Sequence, residues 1–264
     1  MKRGLFLTAV PLLAATLAGA QEMATIATRP GVTQSFFIEG MHGRKPEALA
    51  LLYVGGGGNI RLRMEDGRVK FAERNFLPRS RGEFIRNSIL PVVMDAPSDQ
   101  GQLTDGYRMG EAQSADARAV IAELKRRFPG LPVYLVGTSR GTISAAYLGG
   151  ALGGEAAGVV LTSSLFGSAN LRRQSASLRG FDFAAIKTRL LFVHHREDGC
   201  EFTPYSSAAS LAGRYTLVSV AGGKPPESGP CDPLAAHGYF GKEAETVDAI
   251  AGWMLEKPFA KEIE

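Results

Sequence analysis

A mostly parallel β-sheet covered by helices on both faces, the α/β class with no large lid domain, is the fold that this sequence predicts. From about residue 35 onward, short β-branched apolar runs alternate with longer helical patterns, and strands joined by helical crossovers pair in parallel. Hydrophobic residues make up 45% of the 264-residue chain and charged residues 21%, which suits one globular domain with a sizeable core. One of the apolar runs passes through a glycine-flanked serine turn straight into a helix, a strand–turn–helix connection characteristic of this class.

The first twenty residues stand apart from that domain. Lys2 and Arg3 precede an apolar stretch from Leu5 to Leu17 that closes on Ala18-Gly19-Ala20, the pattern of a signal peptide cleaved after Ala20. The stretch is too short to span a bilayer, so residues 1–20 are expected to be a signal peptide, residues 21–264 a single domain without a membrane segment, and the protein to be exported, periplasmic or secreted. Losing Lys2 and Arg3 takes the formal charge from +4 to +2. So small a charge argues against nucleic-acid binding, and Arg61, Arg63, Arg79 and Arg81 read as a solvated face.

The elements follow in order. Ser35 to Glu39 reads as an early strand and Ala48 to Val54 as an inner one that four glycines, Gly55 to Gly58, bring to an end. An arginine- and glycine-rich excursion from Asn59 to Gly82 comes next, then the apolar run Ile89 to Met94, which closes on Asp95-Ala96-Pro97. A helix from about Glu111 to Phe128 stops at Pro129-Gly130. Leu131 to Val136 is a buried strand that turns through Gly137-Thr138-Ser139-Arg140-Gly141 into a helix, Thr142 to Leu148, expected to end near Gly149-Gly150. Gly158 to Thr162, Arg189 to His194 and Tyr215 to Val220 repeat the strand pattern, and Glu243 to Leu255 is a last amphipathic helix. About 25 residues separate the strands flanking Ser163 and Arg189, too few for a separate cap.

Gly-x-Ser-x-Gly taken alone is weak in a chain with 32 glycines, and its place between strand and helix gives it weight. Glycines at 137 and 141 leave room for a strained turn that exposes the Ser139 hydroxyl and puts the Arg140 N–H at a helix N-terminus, where it can stabilise an oxyanion. A serine hydroxyl needs a base to take its proton and an acid to orient that base. Asp198, just past a strand, and His237, in a loop before the last helix, supply them in the order serine, acid, histidine. Glu197, Glu201 and Asp95 are rival acids, and His194 and His195 rival bases. The second oxyanion donor is expected from the glycine run, Gly57 first and Gly56 next. A phosphate loop is disfavoured because the run continues Asn59-Ile60-Arg61 rather than Gly-Lys-Ser/Thr. The only cysteines, Cys200 and Cys231, are expected to pair in an oxidising compartment. Such a bridge would tie the acid loop to the base loop, and its plain alternative, stabilising the loop it closes by about 3 kcal/mol, is compatible with that role. No Cys-x-x-Cys or His-Glu-x-x-His spacing suggests a metal. Arg140, Phe166, Phe202 and Tyr239 are candidate pocket residues.

Together the elbow G-T-S-R-G, the strand-end G-G-G-G, H-H-R-E-D-G-C and H-G-Y-F resemble the α/β-hydrolase superfamily over roughly residues 35 to 256. M-D-A-P-S-D, V-G-T-S-R-G-T-I-S-A-A and H-H-R-E-D-G-C are similar to phrases of exported bacterial α/β-hydrolases. The resemblance implies cofactor-free acyl transfer with Ser139, Asp198 and His237 as a triad. It departs from the common esterase pattern in having Val54 and Gly55 where a histidine precedes the glycine run. An esterase acting on a small-molecule or polymeric ester is the leading expectation; a peptidase or amidase on the same triad, and an idle hydrolase fold used for binding, are the alternatives.

Overall fold

A computed structural model describes residues 21–167 and 177–264. The signal-peptide reading of residues 1–20 lies outside the described residues. In chain order the strands are β1 (Glu22–Arg29), β2 (Val32–Ile38), β3 (Ala48–Tyr53), β4 (Arg63–Glu65), β5 (Arg68–Lys70), β6 (Ile89–Met94), β7 (Val133–Thr138), β8 (Gly158–Thr162), β9 (Arg189–His195), β10 (Thr216–Val220) and β11 (Glu262–Ile263). The helices are α1 (Phe76–Arg79), α2 (Arg81–Arg86), α3 (Asp105–Met109), α4 (Glu111–Arg127), α5 (Gly141–Leu152), α6 (Tyr205–Ala209) and α7 (Glu243–Met254).

Nine strands form one sheet in the order β1-β2-β6-β3-β7-β8-β9-β10-β11, and β4 and β5 form a separate hairpin. The run from β6 to β11 is parallel, while β2 pairs antiparallel with both β1 and β6. Side chains alternate across the central strands, as strand geometry requires. Leu49, Leu51, Val133 and Leu135 enter one core cluster with Val120, Leu124, Ile143 and Leu148 of α4 and α5. Ala50, Leu52, Tyr134 and Val136 enter the other with Phe76, Phe84, Val247, Ile250 and Trp253 of α1, α2 and α7. Helices therefore cover both faces.

Two differences from the sequence reading have physical causes. First, α5 does not stop at Gly149-Gly150 but continues to Leu152. A Cβ on Gly149 would stand 2.6 Å from the Val159 side chain, so this glycine lets the helix approach β8 and is a packing device, not a stop. Second, the excursion 59–82 contains the β4–β5 hairpin and α1, and β1, unread in the sequence, doubles the antiparallel edge through its register with β2.

The strand order reverses at β3, which has β6 on one side and β7 on the other. The connection from β3 to β6 runs over one face through α1 and α2, and the one from β6 to β7 over the other through α3 and α4. Loops that leave a sheet toward opposite faces open a crevice at the carboxyl ends of the strands between them. Gly55 to Gly58 follow β3 and Ser139 follows β7 at that point.

Candidate active site

Ser139 sits in the left-handed region, with φ 52°, a conformation that costs a non-glycine residue energy and persists only when its surroundings impose it. Here they do. A Cβ on Gly137 would lie 2.5 Å from the Gly141 carbonyl oxygen, and one on Gly141 would lie 2.1 Å from that of Tyr53. The Ser139 N–H donates to the Thr162 carbonyl of β8 at 3.0 Å. Its own carbonyl accepts from the Thr142 hydroxyl at 2.6 Å, and the Thr142 Oγ1 accepts in turn from the Leu165 N–H at 3.1 Å. The half-buried Ser139 is thus presented by a rigid turn at the start of α5.

Asp198 and His237 are brought together from segments 39 residues apart: His237 Nδ1 lies 3.0 Å from Asp198 Oδ2. The Asp198 side chain has no solvent exposure and that of His237 only 6%. Oδ2 also accepts from the Thr203 hydroxyl at 2.8 Å, and Oδ1 from the Cys200 N–H at 3.0 Å. Such donors offset the cost of taking a carboxylate out of water. The Cys200–Cys231 disulfide is present and joins the acid loop to the chain that leads to His237.

Four hydrogen bonds pin the histidine loop. Tyr239, also left-handed with φ 57°, donates its hydroxyl to the Val193 carbonyl at 2.7 Å and accepts from the Ser163 N–H at 3.0 Å. The Ser163 hydroxyl donates to the His237 carbonyl at 2.9 Å. Arg79 donates to the Gly238 carbonyl at 2.8 Å while paired with Glu243 at 2.9 Å. Tyr239 is fully buried, so it braces the loop instead of lining a pocket. Phe166 is packed against Phe183, Phe192 and His194 and lines a cavity with Leu178, Phe181, Leu211 and Tyr215, while Phe202 borders the core.

The rival acids and bases are engaged elsewhere or exposed. The Asp95 carboxylate accepts the N–H groups of Ile60, Leu62 and Ala96, each at 2.8 Å, and so clamps the loop after the glycine run. Glu197 accepts from the Gly222 N–H at 3.0 Å, and Glu201 is exposed. His194 is buried, and burial pushes its pKa down to about 3; its Nε2 accepts from the Ser164 N–H at 2.9 Å. The pKa of His195 is lowered by burial too, and its Nε2 faces the Gly222 carbonyl at 3.0 Å.

The glycine run abuts the serine: a Cβ on Gly55 would stand 3.0 Å from that of Ser139. The Gly58 N–H turns back to the Gly55 carbonyl at 3.2 Å, whereas the N–H groups of Gly56 and Gly57 meet no acceptor among the described residues. Arg140 contributes its side chain to Asp105 at 2.6 Å, leaving its N–H at the first turn of α5. Thr203 and Ser163 were missed in the sequence, where no local pattern distinguishes them; Arg79 and Arg81, expected on a solvated face, are instead largely buried in ion pairs with Glu243 and Glu39. Among the described residues no group of three His, Cys, Asp or Glu side chains gathers as a metal centre, and no helix is long and apolar enough to cross a membrane.

No protein-family model and no curated protein matches this chain in sequence, but many solved structures match it in fold. Est1E from Butyrivibrio proteoclasticus superposes with a TM-score of 0.61 at 13% identity, covering 89% of this chain and 98% of its own. The esterase domain of a Rhodothermus marinus protein gives 0.59 at 13% identity, covering 90% and 98%. A serine hydrolase without lid from Xanthomonas campestris gives 0.55 at 13% identity, covering 86% and 93%. The chain has the α/β-hydrolase fold.

Proposed function

We propose that this chain is an exported serine hydrolase that cleaves carboxylic esters through an acyl-enzyme. Ser139 attacks the ester carbonyl, His237 takes its proton and returns it to the departing alcohol, and Asp198 holds the imidazole in the required tautomer. Water activated by His237 then releases the acid. The Arg140 N–H and the Gly57 N–H, with Gly56 as the alternative, stabilise the tetrahedral oxyanion.

One observation carries the reading: a buried Asp198–His237 pair, 3.0 Å apart, stands on the same sheet edge as a serine held at φ 52° by two obligatory glycines. The choice of ester over amide draws support from the neighbour described as an esterase domain and from Est1E, which was also solved with ferulic acid bound. Export rests on Lys2, Arg3 and the apolar run that ends at Ala20.

The test is fluorophosphonate labelling of the protein beginning at Gln21, with peptide mapping and with Ser139→Ala and His237→Ala variants, followed by matched p-nitrophenyl ester and anilide substrates. Labelling at Ser139 that both substitutions abolish, with ester turnover well above anilide turnover, is the expected result. A folded protein that fails to label overturns the serine-nucleophile assignment, and preferred anilide cleavage overturns the ester assignment. An N-terminus other than Gln21 on protein recovered from the periplasm would contradict the cleavage site.

A further inference from the structure

Arg108, on α3, is only 1% exposed. Its guanidinium donates from Nη1 to the Ser144 hydroxyl at 3.0 Å and from Nη2 to the Gly56 carbonyl at 2.9 Å, while its Nε has no hydrogen-bond partner among the described residues. Burial lowers its pKa to about 10, so it remains a cation at neutral pH. Burying a cation is costly unless strong contacts compensate; here two neutral acceptors hold the guanidinium and the Asp105 carboxylate favours its charge from nearby.

The Gly56 carbonyl gives the charge a purpose. In a trans peptide the C=O and N–H point in opposite directions and are locked in one plane, and this chain has no cis bonds among its described residues. A guanidinium that holds the Gly56 oxygen from one side therefore fixes the Gly57 N–H toward the other. The next peptide is fixed similarly, because the Gly57 carbonyl accepts from the Leu103 N–H at 2.8 Å. Gly58 leaves room for the arrangement: with φ 71°, it passes so close that a Cβ there would stand 2.8 Å from Arg108 Nη2. Three residues before Arg108 on the same helix, Asp105 grips the side chain of Arg140, the residue of the other oxyanion donor.

We propose that Arg108 is the positioning residue of the oxyanion hole: it orients the Gly56–Gly57 peptide so that the Gly57 N–H faces the carbonyl oxygen of a substrate at Ser139. This inference rests on the serine-hydrolase reading above. It singles out Gly57 over Gly56, and it makes α3 the element that braces both halves of the hole.

The experiment compares wild type, Arg108→Met and Arg108→Lys for kcat and KM on a p-nitrophenyl ester, and for the affinity of a trifluoromethyl ketone, which forms a tetrahedral adduct with a reactive serine. Loss of one oxyanion donor typically lowers kcat by about 10²-fold to 10³-fold. Arg108→Met is expected to lose about 10²-fold in kcat and the same factor in ketone affinity, with KM within about threefold, since the contact matters only once the oxygen is charged. Arg108→Lys restores part of both, because an ammonium can reach Gly56 but cannot span Gly56 and Ser144 together. A folded Arg108→Met with kcat and ketone affinity both within about threefold of wild type overturns the proposal. So does a loss that falls on KM alone. Should Arg108→Met not fold, Arg108→Lys decides by the same split: a parallel drop in kcat and ketone affinity at constant KM supports the proposal, and unchanged values overturn it. If wild type itself neither turns over ester nor labels at Ser139, the hydrolase reading fails and takes this inference with it; active wild type beside unaffected Arg108 variants refutes this inference alone.

Discussion

Asp198 has each carboxylate oxygen engaged, Oδ1 by the Cys200 N–H and Oδ2 by Thr203 and His237, so its orientation toward Nδ1 is fixed before any substrate arrives. Replacing it with asparagine keeps the shape but offers an amide that favours the wrong imidazole tautomer. Asp198→Asn is expected to fold normally and lose about 10⁴-fold in kcat, measured on the same ester as wild type; a loss under tenfold would remove Asp198 from the proposed triad. His194, behind the pair, makes a different prediction. Its folded pKa of about 3 lies below the unfolded value of about 6.5, so between those values the unfolded chain binds the extra proton. His194 is without penalty above pH 6.5 and costs stability as pH falls below it, by about 2 kcal/mol at pH 5. Urea midpoints taken from pH 7.5 to pH 5 should fall less steeply in His194→Gln than in wild type, and parallel slopes would show that this side chain is not the acid-sensitive group. Ser139, Asp198 and His237 were legible as candidates because each follows or precedes a strand or helix in a fixed order. Thr203, Ser163 and Arg108 were not, since each acts through a contact between segments distant in the chain, and a lone threonine, serine or arginine carries no spacing that announces one.

Among the elements, the inner strands were legible to within a residue or two, because β3, β6 and β7 are buried along their whole length and unbroken apolar runs have few other uses. The half-exposed β1 carries no such run and exists through its pairing with β2, information that lies in the partner strand. Helix α5 shows where local propensity misleads. Glycine weakens a helix interior by about 1 kcal/mol relative to alanine, so propensity alone predicts that Gly149→Ala stabilises the protein. Packing predicts the opposite sign, for the new methyl group would stand 2.6 Å from Val159 Cγ2, and Val159 is fully buried and stiff. Destabilisation by about 1–3 kcal/mol is expected, read as a lower urea midpoint, with the elbow and its labelling retained. A midpoint that rises would mean that β8 yields to the helix and that the close approach is not constrained.

At the scale of the whole molecule, the fold gathers the proposed triad from three carboxyl-end loops that are far apart in the chain, after β7, after β9 and before α7, and the disulfide is the covalent link between the last two. Its two readings, a device that presents Asp198 to His237 or a staple that adds stability, separate on the geometry. The acid is held by Thr203 and the Cys200 N–H, and the base by Ser163, Tyr239 and Arg79 acting on the backbone around it. These noncovalent contacts suffice to place both partners, so the bridge is left with the thermodynamic task of restricting the unfolded chain across its 31-residue separation, worth about 3 kcal/mol in the chain-entropy account. Cys200→Ser combined with Cys231→Ser should therefore lower unfolding free energy by about that amount while kcat, measured well below the unfolding transition, stays within about threefold of wild type. The opposite pattern, a folded double variant whose kcat collapses with KM unchanged, would assign the bridge to the alignment of Asp198 and His237 and make the activity sensitive to the redox state of its compartment.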